Sequence, residues 1–375
     1  MFKSRWHIWL FVWAIVVLGG GLGWDSAEAQ DCLRSNIAPG ECVAPIPAGS
    51  GFASPKKPEN SLLDRAWYAR LRDNINIYTE PRHDAPIVRN VGDGFLFVTL
   101  QAQVENNGEI WYRVNDGQYV YKDDLILVNA SKFTGVEVLR QPVRPFGWFV
   151  AESRPSAEPG GEPSMAFERL PRYTFFQVYA AAEDEEGWIW YNIGSGRWLK
   201  QTFASVVDVT PRPIGIGPDD FWVQVDLYEQ NVSAYEGDRM VYATLVSSGL
   251  NRWATNEGQF HVWDRWLTTP MDGAQGKIDY YDIEEVPYTM FFDEGIALHG
   301  AYWHDRFGYK HSHGCVNMPP RDAEWVFLWS RQAPQPLAVS VITSDPHDYF
   351  LRHGDLLPGI LGMVFNVSGT RLMAR

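Results

Sequence analysis

The stretch Phe221-Trp222-Val223-Gln224-Val225-Asp226-Leu227 sets Val223, Val225 and Leu227 against Gln224 and Asp226 at a period of two, the pattern of a strand with unlike faces. Tyr235-Glu236-Gly237-Asp238 follows as a turn and Met240 to Ser247 as a returning strand, so a hairpin opens this part of the chain. Met290-Phe291-Phe292, Ile296 to His299 and Leu337 to Ile342 read as further strands. A helix is predicted only over 321–331, entered through Pro319-Pro320, with Asp322 where the helix dipole favours negative charge. The expected fold is mainly β, with one or two short helices.

Outward from that stretch, composition bounds the rest. The chain has 375 residues, 45% apolar and 21% charged, enough for two or three packed cores, so disorder throughout is excluded. A formal charge of −14 would repel phosphate backbones, and nucleic acid is not an expected partner. The 17 Trp, 17 Tyr and 20 Phe favour pleated strands and binding platforms over long helices. Three cysteines allow one internal disulfide at most, so no disulfide framework holds the fold.

Residues 1–29 read as an export signal: Lys3 and Arg5, an apolar run from Ile8 to Leu18, and small residues for cleavage at Ala27-Glu28-Ala29. The uncharged stretch Ile8 to Trp24 also admits an uncleaved membrane anchor, slightly short of the usual span. Either way the bulk of the chain is expected outside the cytoplasm, secreted or membrane-anchored. Cys32 and Cys42 flank Pro39-Gly40 and are expected to pair in an oxidising compartment, leaving Cys315 free; the alternative is two incidental thiols. Residues 30–65 are Pro/Gly-rich and suit an extended linker.

Two segments resemble each other at an offset of seventy-nine. Gly108, Ile110, Trp111, Tyr112, Val114, Gly117, Tyr119 and Val120 align with Gly187, Ile189, Trp190, Tyr191, Ile193, Gly196, Trp198 and Leu199. Each reads as a hairpin around a glycine turn. With Asn76-Ile77-Tyr78, Glu80-Pro81 and Val91-Gly92-Asp93-Gly94, the first copy resembles bacterial SH3-like (Src-homology-3-like) domains, which implies two small barrels at 66–130 and 131–212. The aromatic residues serve either as a platform for wall polymer or as the filling of two small cores.

The densest chemistry lies at His299-Gly300, His304 and His311-Ser312-His313-Gly314-Cys315-Val316-Asn317, where four of the nine histidines fall beside the unpaired cysteine. A thiolate is the nucleophilic form of cysteine, and a neighbouring imidazole is the usual acceptor of its proton. His313 shares a side with Cys315 if the segment is extended, while His299 would reach it from an adjacent strand. Gly314 permits close backbone approach and exposed amides, as an oxyanion hole requires. A metal cluster fits poorly because the spacings match no familiar zinc pattern. His304 and His311 read individually as surface residues.

Leu298-His299-Gly300, followed by Ser312-His313-Gly314-Cys315-Val316-Asn317, closely resembles the signature of the YkuD-like L,D-transpeptidases of the bacterial cell wall. The resemblance implies a β-sandwich-like catalytic domain at 219–345, with 346–375 as a C-terminal extension. It implies Cys315 as nucleophile, His299 as proton carrier oriented by the Gly300 carbonyl, and Ser312 and His313 shaping the pocket. The amides of Gly314 and Cys315 would hold the oxyanion, and no cofactor or metal would be required. Asn317 stands where many members carry arginine, which bears on its expected role in substrate binding. Thr255-Asn256-Glu257-Gly258 keeps half of the family's Thr-Pro-x-Gly turn, and 263–287 reads as an individual substrate-covering loop.

The function implied is cross-linking of peptidoglycan stem peptides, donor and acceptor, through a Cys315 thioester. An L,D-carboxypeptidase using the same site, or an inactive wall-binding protein, are the alternatives. Cys/His endopeptidases that bear SH3-like modules place cysteine before histidine, the reverse of the order here.

Overall fold

The computed structural model describes residues 46–347 apart from 48, 60, 66, 275, 278 and 279. The export segment, the Cys32/Cys42 pair and nearly all of the 346–375 extension lie outside the described residues. No helix among the described residues is long and apolar enough to cross a membrane.

The hairpin expected over 221–247 has three strands, Phe221–Asp226, Asn231–Glu236 and Arg239–Leu245, antiparallel throughout. The extra reversal falls at 227–230, which contains neither glycine nor proline. Gln230 instead takes the left-handed φ of 55° that the turn needs, a conformation the sequence does not advertise. Ala338–Ile342 joins Phe221–Asp226 in parallel, and Gly258–His261 closes that edge. At the other edge Val136–Val138 and then Phe52–Ala53 extend the sheet beyond Arg239–Leu245.

A second sheet runs Val316–Met318, Ile296–Gly300 and Tyr281–Asp293. Val223, Val225 and Val341 from the first sheet meet Met290, Phe292, Leu298 and Val316 from the second in one core, with Ala323, Val326 and Phe327 of the single described α-helix, α1 (Pro320–Ser330). Two layers with a helix on one side make a β-sandwich-like domain, as expected. Each fully buried valine, leucine or phenylalanine contributes roughly 1.5–3 kcal/mol. The expected loop at 263–287 is instead mostly a hairpin, Asp264–Gly273 paired with Tyr281–Asp293. Its first strand is mixed and mostly half-exposed, so no clean alternation marks it.

Asp322 does more than face the helix dipole. It is fully buried and accepts from Gly135 N–H at 3.1 Å, Tyr242 Oη–H at 2.7 Å and the Thr244 hydroxyl, tying α1 to Arg239–Leu245 and to the strand beyond it. Gly135 has to be glycine: a Cβ there would sit 2.1 Å from the Ala243 carbonyl oxygen.

The offset of seventy-nine holds for whole elements. The sheet order Phe95–Leu100, Trp67–Leu71, Leu125–Leu127 recurs as Phe175–Gln177, Phe146–Phe149, Ala204–Val207. The 3₁₀ turn Lys122–Asp124 recurs as Gln201–Phe203, directly before the last strand of each copy. Trp111, Tyr112, Trp190 and Tyr191 are all buried: Tyr112 and Tyr191 fill the cores of the two copies, Trp111 packs against Tyr78, His83 and Tyr121, and Trp190 donates to Asp184. The first copy does not stand apart. Its strand Phe95–Leu100 pairs in parallel with Tyr281–Asp293, which makes one continuous sheet with the strand that carries His299.

Candidate active site

Leu298 pairs with Val316 and His299 with Asn317 in parallel register. Continued by one residue, that register sets Cys315 beside Ala297, whose backbone N–H faces the sulfur. Ala297 and His299 point to one side of their strand, so Cys315 and His299 are diagonal neighbours with Cα atoms about 7–8 Å apart. Chain topology thus brings together the two residues of the motif.

His299 is 2% exposed, and its Nδ1 lies 3.2 Å from the Gly300 carbonyl oxygen. A carbonyl only accepts, so Nδ1 carries the proton and Nε2 keeps its lone pair. Burial pushes the imidazole down to about 4, the Gly300 contact opposing it, so the ring is neutral at pH 7. Trp303 lies roughly parallel to it, centroids 5.7 Å apart. Cys315 is half-buried; its Sγ lies 3.7 Å from Gly295 O, and the protein packed around it pushes the thiol up to about 11. Both partners are therefore uncharged at rest, with the proton on sulfur.

The loop before Cys315 is held by its own side chains. Ser312 Oγ accepts from Gly314 N–H at 3.1 Å and donates to the Cys315 carbonyl, while Ser312 N–H donates to Ser248 O at 3.0 Å. The expected oxyanion role of the Gly314 amide needs correcting, because that N–H is turned into Ser312. What Gly314 supplies is its φ of 124°, which side chains rarely tolerate. Thr255, the retained half of the Thr-x-x-Gly turn, donates to Gly314 O at 2.7 Å and accepts from Gly249 N–H at 3.0 Å.

His313 is exposed and lies against Trp253, centroids 3.7 Å apart, and Tyr281, 5.1 Å. Asn317 does not open onto the cleft. It is 3% exposed, with its amide 2.8 Å from His304 Nε2, so direct substrate contact is not what its placement offers. His304, expected at the surface, has Nδ1 accepting from Arg306 N–H at 3.1 Å, and burial with the adjacent His311 holds it well below the usual histidine range. His311 is half-buried, so neither is a solvated surface residue.

Trp253, Tyr281 and Trp303 escaped the sequence reading. Trp303 stands only four residues after His299, the one of the three that proximity could have flagged.

Residues 220–341 match the model of the YkuD family, the L,D-transpeptidase catalytic domain. The Bacillus subtilis protein YciB, a candidate L,D-transpeptidase, is 28% identical over 146 residues, 34% of this chain and 73% of YciB. Among solved structures, the Ldtfm–avibactam carbamoyl enzyme is 28% identical over 34% of this chain and 50% of its own, with a TM-score of 0.30. The catalytic domain of the E. faecium L,D-transpeptidase is 26% identical over 33% of this chain and 98% of its own, with a TM-score of 0.29. This chain thus spans half the length of the first of these structures.

Proposed function

We propose that this chain is an extracytoplasmic L,D-transpeptidase of the cell wall. Cys315 attacks the carbonyl following the third, diamino-acid residue of a stem tetrapeptide, and His299 Nε2 takes the thiol proton. The tetrahedral intermediate collapses to a thioester, the proton passes to the departing D-alanine, and an amine from a second stem displaces Cys315. The observation that supports this reading is that Cys315 directly precedes the strand paired in parallel with the one that carries His299, whose Nδ1 is committed to Gly300 O. That carbonyl occupies the orienting place a carboxylate has in serine triads. Trp303 keeps the ring in its plane, and Thr255 and Ser312 hold the turn that presents sulfur.

Incubation of the purified 30–375 chain with a disaccharide tetrapeptide, read by mass spectrometry, is expected to give a cross-linked dimer with loss of one D-alanine. Cys315→Ala should abolish the product, and unchanged turnover by that variant would sink the proposal. A trimmed tripeptide as sole product would replace transpeptidation with carboxypeptidation.

A further inference from the structure

A sheet face covered by another layer is normally apolar. Strands Phe221–Asp226 and Asn231–Glu236 follow that rule at one end only. There Trp222 and Tyr235 are register partners, stacked at 4.1 Å and fully buried. Along the same face the next partners are Gln224 with Ser233, then Asp226 with Asn231, and all four are buried. They line a cavity of about 450 Å³ beside Val206 of the second β unit. Asp208, Glu229 and Asp345 add to its wall, and no lysine, arginine or histidine lines it.

Its hydrogen bonds leave particular groups over. Asp226 Oδ1 accepts from the backbone N–H groups of Tyr228 and Glu229, and Glu229 Oε2 from Val206 N–H at 2.7 Å. Gln224 Oε1 accepts from the Thr210 hydroxyl at 2.8 Å, yet Nε2, on a side chain 8% exposed, donates to nothing among the described residues. Ser344 Oγ is buried without a partner among the described residues. Burial, with Asp226 alongside, pushes the Glu229 carboxyl well above the usual carboxylate range. The cavity thus combines carboxyl groups, among them Asp345 at the rim, already 3.0 Å from His347 Nδ1, with an amide donor that lacks an acceptor among the described residues.

We propose that this cavity binds a small amine-bearing peptide or amino-acid amide, its ammonium among Asp226, Glu229 and Asp345 and its carbonyl oxygen on Gln224 Nε2. The volume falls in the roughly 300–1,000 Å³ range of small-molecule sites, far more than one ion fills. No His, Cys, Asp or Glu group of three among the described residues converges tightly enough to hold a metal. An ammonium makes charge-assisted hydrogen bonds to several carboxylates without demanding fixed coordination geometry. The site shares no lining residue with the Cys315 cleft.

Calorimetric titration of the full chain with Nα-acetyl-L-lysine amide, its norleucine isostere, 1,5-diaminopentane and magnesium chloride tests this. The lysine amide should bind at least about tenfold tighter than the norleucine analogue, which lacks the charge, and than the diamine, which lacks the carbonyl. Glu229→Gln and Asp345→Asn should each weaken it about tenfold or more. Asp345 sits at the exposed rim, so that variant should retain the wild-type melting temperature. Alkylating Cys315 should leave binding intact. Equal affinity for the norleucine analogue, diamine or magnesium, loss of binding on alkylation, or no heat up to about 10 mM amide would overturn the proposal.

Discussion

Cys315 and His299 rest uncharged because the same packing opposes both ions: burial pushes the thiol up to about 11 and the imidazole down to about 4. Iodoacetamide labelling of Cys315 in the free protein should therefore be slow at pH 7 and rise towards pH 10 and above, because the thiolate is the reacting form. A labelling midpoint below pH 7 would instead reveal a resting ion pair. For kcat/KM, the competent state with the proton on sulfur and a bare Nε2 persists between those two values, so the profile should be flat from about pH 5 to 10. Thr255→Val removes one donor to Gly314 O and one acceptor for Gly249 N–H, both buried. A loss of about 1–3 kcal/mol in chemical denaturation, with kcat reduced more than KM is raised, is expected. The sequence displayed Cys315 and His299 because their residue types are chemically unusual; it hid the burial of Asn317 and the capture of the Gly314 amide, which depend on neighbours brought in from other strands.

At the scale of elements, α1 depends on one carboxyl. Asp322 satisfies donors from Gly135, Tyr242 and Thr244, and burial raises it to about 7 despite those bonds. Asp322→Ala leaves those donors unpaired and should cost about 3–5 kcal/mol in urea denaturation. Because its folded value lies above the ordinary 3.8, the native state holds the proton more tightly. That contribution is full below about pH 4 and is lost as pH rises through about 7, a slope that Asp322→Asn should remove. Period-two alternation revealed Phe221–Asp226. It did not reveal Asn231–Glu236, buried on both faces, nor the half-exposed strand Asp264–Gly273. A turn without glycine and a mixed surface pattern leave no periodic mark.

For the molecule as a whole, the first β unit and the catalytic sandwich share one sheet. Tyr68 stacks on Tyr302 at 3.6 Å, and Phe97 packs against Tyr302 and Trp303, the latter lying on His299. A chain beginning at residue 130 would uncover Tyr302 and Trp303 and the edge of Tyr281–Asp293. It should melt at a lower temperature and show faster amide exchange over 281–283; an unchanged melting temperature would mean that the units are independent. Constant spacing across the repeat showed that one unit occurs twice, because equivalent side chains fill equivalent cores. The sequence by itself determined the β-rich composition, that repeat and the Cys315/His299 motif, since each rests on local periodicity or on residue chemistry. Only the tertiary structure decided that the first unit continues the catalytic sheet, that Asn317 turns inward to His304, and that a polar cavity lies under the second unit. Those outcomes depend on pairings between residues far apart in the chain, whose partners no local pattern specifies.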